Sequence, residues 1–273
     1  MLDAMVLSDE EFYRYQRLIY DAVGINFTDN KKQLLVSRLR KRLEANNIDS
    51  YAEYRKFVTD PKNEAEFVQM LNVISTNKTD FFREPQHFDF LKENVYPKLQ
   101  SQHKIRIWSA ASSSGEELYT LAITLLEALG PLKGRDVKIL GTDISTKVLA
   151  EAEQGIYSSE TVAPVELSLQ KKYFLKGHNR WEGYFLVKDT LRELISFRRL
   201  NLMEPFPLTA QFDFVFCRNV MIYFDKPTRE TLVNRIAHQL APGGYLFIGN
   251  AESLSGLKTP LKYVQPAIYQ KSF

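Results

Sequence analysis

The stretch that decides the fold is Ile105–Thr120, "IRIWSAASSSGEELYT". An apolar run that reads as a buried strand feeds a loop of tiny residues, then Gly115, two glutamates and a helical pattern. A strand entering a helix through a small-residue loop is the opening unit of a parallel α/β sheet. The loop lacks the lysine of a phosphate-gripping loop and the spacing of a Gly-x-Gly-x-x-Gly fingerprint. Glu116 and Glu117 stand where a phosphate would want bare amides.

Working outward, "DVKILGTDIS", "LISFRRLNL", "FDFVFCRNV" and "GYLFIGNAES" are further β-rich apolar segments. Helix-like stretches such as "TRETLVNRIAHQL" separate several of them, which calls for a mainly parallel sheet covered on both faces. Between the second and third of these strands, Tyr173–Leu194 alternates around a Gly-containing turn and reads as a small antiparallel β insertion. The first third shows no strand alternation. "SDEEFYRYQRLIYDAVG" offers Ser8 and Glu11 as a capping box and Gly24 as a C-cap. Leu35, Leu39 and Leu43 share one helical face, and two more helical segments follow, so the region reads as a bundle of about four helices.

Composition sets broad limits. The 273 residues are 44% hydrophobic and 25% charged, ordinary for a soluble globular chain, and the net charge of +3 is too mild to argue for nucleic acid. No apolar run approaches membrane-spanning length, and "MLDAMVLSDEEF" is acidic, unlike a cleaved leader. The single cysteine, Cys217, forms no internal disulfide and suits a reducing cytoplasm. The four histidines show no metal-ligand spacing, so no metal is expected.

Ligands of open parallel sheets bind beyond the carboxyl ends of the strands. The residues Ala110–Ser114 allow close approach of a ligand, and Gly115 frees the turn. Asp143, ending "ILGTD", occupies the place of the acid that grips ribose hydroxyls in dinucleotide folds. The plainer reading, that the two glutamates merely suit a helix N-terminus, weakens once Asp143 is counted. S-adenosylmethionine fits: it has no phosphate, bears an ammonium and a sulfonium, and offers two ribose hydroxyls. "LAPGGYLFIG" also resembles the closing turn of many methyltransferases.

Four motifs in order, "STNKTDFFREPQHFDFL", "WSAASSSGEELYTLAI", "LGTDIS…VLAEAEQGIY" and "FDFVFCRNVMIYFD", resemble the chemotaxis receptor methyltransferase family, CheR, over nearly the whole chain. The resemblance implies a Rossmann-like class I S-adenosylmethionine-dependent methyltransferase domain with a small antiparallel β insertion, preceded by an all-α N-terminal domain. The implied divisions are a helical domain over 1–76 for receptor docking, a linker over 77–92 that contributes to the cofactor site, a catalytic domain over 93–273, and a β-subdomain over 172–194. The implied reaction moves a methyl group to glutamate side chains on chemoreceptor cytoplasmic helices, with S-adenosylhomocysteine as product. Asn77, Thr79 and Arg83 would contact the methionine end and the reacting centre; Ala111 and Glu117 would lie along the cofactor, and Asp143 would hold its ribose. Asn201, Leu202, Arg218 and Asn219 would border the adenine side, and Tyr223 would face the methyl group. Arg83 and Tyr223 are the expected catalytic pair. Leu118 stands where the family often has proline, which costs a little helix preorganisation.

Lys31, Arg38 and Arg42 fall nearly on one helical line with Lys41 beside them, and Lys31–Arg42 contains no acid. A solvated face is the default for such a run; the resemblance makes it a docking stripe for acidic receptor helices. Some members capture an aromatic-acidic receptor C-terminal peptide on the β insertion. Here the turn reads "GHNRWEG", without a close Gly-x-Gly, which leans against peptide dependence. The chain is expected to be a cytoplasmic monomer associating with membrane receptor arrays, without membrane insertion. Two alternatives remain: a methyltransferase acting on another protein or on nucleic acid, and a cofactor-binding signalling scaffold without catalysis. "CRNVMIYF" is not the (Asp/Asn)-Pro-Pro-(Tyr/Phe) signature of amino-directed nucleic-acid enzymes, and Cys217 follows Phe216 inside an apparent strand, unlike a nucleophilic cysteine.

Overall fold

A computed structural model describes residues 6–272. Residues 1–5, part of the acidic stretch read as no leader, lie outside it. The bundle consists of α1 (Asp9–Val23), α2 (Lys32–Ala45), α3 (Tyr51–Thr59) and α4 (Glu64–Ile74). Ser8 caps α1 by accepting from the Glu11 N–H, and Gly24 ends it in the left-handed region at φ 73°. The reciprocal half of the capping box is not made, because the Glu11 carboxylate is drawn to Arg14 and Arg55. Leu35, Leu39 and Leu43 are fully buried against Tyr15, Ile19 and Met70 in the bundle core.

After the irregular stretch 75–85, α5 (Gln86–Phe90) runs through a π turn (Leu91–Val95) into α6 (Tyr96–Leu99). Pro97, which has no N–H to give back to the preceding turn, sits just past that irregularity. Phe88, Leu91, Val95 and Leu99 of this helix pack on the sheet, so the helix crosses the division drawn from sequence at residue 92.

The sheet follows as β1 (Lys104–Ala110), α7 (Glu116–Leu129), β2 (Asp136–Asp143) and α8 (Thr146–Gln154). The inserted region comprises β3 (Ile156–Ser158), α9 (Ser159–Val162), α10 (Leu167–Tyr173), β4 (Phe174–Lys176), β5 (Tyr184–Val187) and α11 (Asp189–Arg192). Then come β6 (Ile195–Arg199), β7 (Phe212–Cys217), α12 (Lys226–Gln239), β8 (Leu240–Ile248), β9 (Leu261–Gln265) and β10 (Ile268–Lys271). Seven strands align in the order β6-β2-β1-β7-β8-β10-β9; the first five are mutually parallel and the terminal hairpin β9–β10 runs antiparallel. Sequence reading anticipated the parallel five and not the hairpin, whose "LKYVQPAIYQK" is short and broken by Pro266. The small sheet also exceeds expectation. It has three strands, β3-β5-β4, because Ile156–Ser158 pairs antiparallel with β5 from outside the 172–194 segment.

Neighbouring residues on the central strands enter opposite cores. Phe214, Phe216 and Phe247 join the core under α5–α7, whereas Val215, Cys217, Leu246 and Ile248 join the one under α12. Strand order reverses between β1 and β7, where Ala110 lies beside Cys217. The loops leaving those two residues therefore emerge side by side, at the point where an open sheet offers a crevice.

Candidate active site

The crevice is a cleft of about 980 Å³, partly open to solvent. Every cofactor-contact and catalytic residue expected from sequence lines it: Asn77, Thr79, Arg83, Ala111, Glu117, Asp143, Asn201, Leu202, Arg218, Asn219 and Tyr223. The loop after β1 is wound tightly. Ala111 and Ser113 adopt positive φ (65° and 49°), and Gly115 at 96° turns the chain into α7. A Cβ on Gly115 would approach Ala152 Cβ to 2.8 Å, so only glycine fits.

The two glutamates that follow part company. Glu117 reaches the cleft, accepts from Ser109 Oγ at 2.7 Å and pairs with Arg218 Nη1 at 3.1 Å. Glu116 turns inward and is buried, its carboxylate on Ser114 Oγ. Burial pushes its carboxyl up to about 7. Of the two acids that posed the ligand question, one answers it. Burial also raises the Asp143 carboxyl, opposed by the Ser145 and Ser113 N–H groups that donate to it at 2.9 Å each. These amides lock its orientation at the tip of β2 and leave lone pairs free for hydroxyl donors.

Arg218 lines the cleft and is buried, with 2% of its side chain exposed. Glu84 and Glu117 bracket its guanidinium, each at 3.1 Å, and it donates to the Arg83 carbonyl at 2.6 Å. Glu84 went unnoticed in the sequence, although it is the last residue of "TDFFRE". It holds Arg218, accepts from the Asn250 N–H, and sits at φ 57°. Burial works against its charge, but Arg218 and its other partners leave its carboxyl lowered. Arg83 is freer: its side chain donates to the Lys78 carbonyl at 2.8 Å and faces the cleft. Asn77 accepts from Ser113 Oγ through its carbonyl, which ties the 75–85 stretch to the loop after β1.

Sequence reading missed one wall altogether. Val23, the last residue of α1, and Ile25 just after it line the cleft together with Leu200 and Leu202. The helical domain is clasped there by Asn26 N–H to the Tyr223 carbonyl (2.9 Å), Tyr20 Oη to Asp225 Oδ2 (2.8 Å) and Asn201 Nδ2 to the Ala22 carbonyl (2.7 Å). No local pattern marks these residues, because they meet their partners across the fold.

The proposed docking stripe changes most. Arg42 is paired with Glu66 of α4, and Arg38 donates to the Ile74 and Ser75 carbonyls and to Thr76 Oγ1. The stripe is acid-free in sequence only because its acid arrives from another helix. Lys31 lies over the Tyr223 ring, 5.6 Å from its centroid, and Lys41 is exposed. Cys217 is fully buried, its thiol pushed well up by burial, and so is no nucleophile. Among the described residues no cluster of three or more His, Cys, Asp or Glu could hold a metal, and no helix is long and apolar enough to cross a membrane.

Comparison with known proteins shows the family of the chain. Residues 77–269 match the family model described as "CheR methyltransferase, SAM binding domain", and residues 10–75 match "CheR methyltransferase, all-alpha domain". A chemotaxis protein methyltransferase of Borreliella burgdorferi is 40% identical over 97% of this chain and 95% of its own. Another, from Salmonella typhimurium, is 40% identical over 94% of this chain and 88% of its own. The "Chemotaxis protein methyltransferase 2" of Pseudomonas aeruginosa is likewise 40% identical, over 95% and 92%.

Proposed function

The chain belongs to the CheR methyltransferase family, and from that premise we propose that it methylates glutamate side chains on the cytoplasmic helices of chemoreceptors, with the residues of the cleft in the roles that follow. It is an S-adenosylmethionine-dependent methyltransferase of the receptor glutamate O-methyltransferase class. The observation that carries the assignment of roles is that two acids, Glu117 and Asp143, and a guanidinium with donors to spare, Arg83, line one cleft at the strand-order reversal.

The residues present fit the cofactor. Asp143, fixed by two amides, suits the ribose hydroxyls. Val23, Ile25, Ile144 and Leu202 make an apolar slot for the adenine, and Glu117 supplies negative charge to the cationic end. Bound there, S-adenosylmethionine supplies an activated methyl group on a sulfonium and departs as the neutral thioether.

The chain's own task is to bring an oxygen into line and to exclude water. A glutamate carboxylate is already ionised near neutral pH, so no strong base is required. Arg83 forks onto the incoming carboxylate and orients it. Arg218 cannot take that role, because Glu84 and Glu117 already bracket it. Tyr223 lines the cleft, backed by Lys31 and by the Asn26 amide, and would face the methyl group of the bound cofactor. Held in this way, the two reactants need little further entropy loss on reaching the transition state.

The partner surface is proposed at the outer side of α2, with Lys41 as its available cation now that Lys31 lies over the Tyr223 ring, and the working compartment is the cytoplasmic face of receptor arrays. In the small sheet β4 has a free edge with Leu175 exposed, and Trp181 stands at the turn. The turn chemistry favours function without tail-peptide capture, and a titration with receptor tail peptide should show no saturable binding. The deciding experiment follows labelled methyl from S-adenosylmethionine into receptor membranes and then releases it with mild base. Base-labile label on receptors supports carboxyl esters; base-stable label, or none, overturns the reading.

A further inference from the structure

Glu252 follows β8 and does not line the cleft, yet it is 9% exposed and its carboxylate is satisfied almost wholly by main chain. A carboxylate taken from water persists only where its lone pairs are filled. Oε2 accepts from the Gly249 N–H at 2.6 Å and the Asn219 N–H at 3.0 Å, and Oε1 accepts from the Ile222 N–H at 3.2 Å. These amides come from three places: the end of β8, the residue after Arg218, and the 3-10 turn Met221–Tyr223 that presents Tyr223 to the cleft. The loops are closely seated, since a Cβ on Gly249 would come within 2.9 Å of both Asn219 N and Glu252 Oε2. Asn219 is held at φ 58°, in the left-handed region that few residues other than glycine and asparagine adopt.

We propose that Glu252 is a positioning residue for methyl transfer: by gathering the amides of Gly249, Asn219 and Ile222 on one carboxylate, it fixes the turn that carries Tyr223 to the methyl group and Asn219 to the adenine side of the cofactor. The inference rests on the roles given to those two residues above. A glutamine of the same shape offers one acceptor oxygen and turns an N–H₂ toward backbone N–H groups, so at least one amide loses its partner. The Asn26 bond to the Tyr223 carbonyl still supports the turn from the other side. Loss of the carboxylate therefore loosens the turn rather than unfolding it.

The test is steady-state transfer of labelled methyl to receptor membranes by the full chain, with Glu252→Gln, Glu252→Asp and Tyr269→Phe. Tyr269 Oη accepts from the Leu254 N–H in the same loop and makes no hydrogen bond to Asn219 or Tyr223, so its variant reports loop destabilisation without loss of the amide cradle. Glu252→Gln is expected to lower kcat at least tenfold with KM for cofactor and for receptor each within threefold. Glu252→Asp is expected to fall between wild type and Gln, and Tyr269→Phe to keep kcat within twofold. A kcat within twofold of wild type, a loss carried by KM, or an equal kcat loss in Tyr269→Phe overturns the proposal. Should Glu252→Gln fail to fold, Glu252→Asp decides on the same split, and an unchanged kcat or a KM-borne loss overturns it. Absence of label transfer by the wild-type chain would instead overturn the functional reading beneath it.

Discussion

Two guanidinium groups share the cleft under opposite constraints, and that contrast assigns them different work. Arg218 is buried between Glu84 and Glu117, so its charge is already balanced. Arg83 makes one hydrogen bond, to the Lys78 carbonyl, and has donors left for a ligand. A charge-assisted bond of roughly 1.5–3 kcal/mol realised with the acceptor in place corresponds to about ten- to a hundredfold in rate. Arg83→Ala should therefore lower kcat by that factor and shift S-adenosylhomocysteine affinity less than threefold; equal losses by calorimetry and label transfer would remove Arg83 from orienting the acceptor. Two other buried groups govern acid stability with opposite signs. Burial, helped by Arg218, holds His87 down to about 4 from 6.5, so the unfolded chain protonates first. Its contribution is complete above about pH 6.5 and is lost as pH falls toward 4. Glu116 is raised to about 7 from 4.5, so the folded chain keeps a proton that the unfolded chain loses. That contribution is present below about pH 4.5 and is lost as pH rises through 7. Each is worth on the order of 3 kcal/mol, and the slopes oppose one another between about pH 4.5 and 6.5. Across that range, urea unfolding should show stability climbing with pH more steeply than wild type in Glu116→Gln. In His87→Phe, with its ring among Phe216 and Phe247, the slope should turn downward. Slopes unchanged in both variants would deny these groups that role.

At the scale of elements, α2 shows how a helix face is redefined by its neighbours. Its leucine stripe is buried, and two of its three arginines are claimed from other segments of the domain, Arg42 by Glu66 and Arg38 by the chain entering the cleft. Reversing either arginine would break intradomain contacts and confuse docking with stability. Lys41 is the clean probe. Lys41→Glu should raise the receptor KM roughly threefold at low ionic strength, with the effect fading in salt, while the thermal midpoint and cofactor affinity stay unchanged. A receptor KM equal to wild type at low salt would move the docking surface elsewhere.

For the whole molecule, the telling feature is that the helical domain forms a wall of the catalytic cleft. Ile25 packs against both the bundle core and the core under α12, and it faces the cleft as well. Ile25→Ala removes apolar surface from all three places at once. A large-to-small change at such a site costs about 2–4 kcal/mol, so the thermal midpoint should fall by several degrees and S-adenosylhomocysteine affinity by roughly tenfold. Unaltered affinity by calorimetry would mean that the wall does not touch the cofactor.

The helices of the bundle, the parallel strands and the ligand loop were legible because their signals are local: a 3.6-residue apolar period, caps at Ser8 and Gly24, apolar runs, and a small-residue loop closed by Gly115. Asp143 was legible for the same reason, since it ends a strand at a fixed place in the unit. Tertiary structure alone decided that Glu117 and not Glu116 meets the cleft, that Glu66 neutralises Arg42, and that Ile156–Ser158 completes the small sheet. It also decided that Glu84 and Glu252 serve residues more than thirty positions away. Local geometry follows from neighbours a turn apart, whereas an ion pair or a cleft wall depends on which of many similar side chains packing brings together, and the chain order of those residues carries no trace of it.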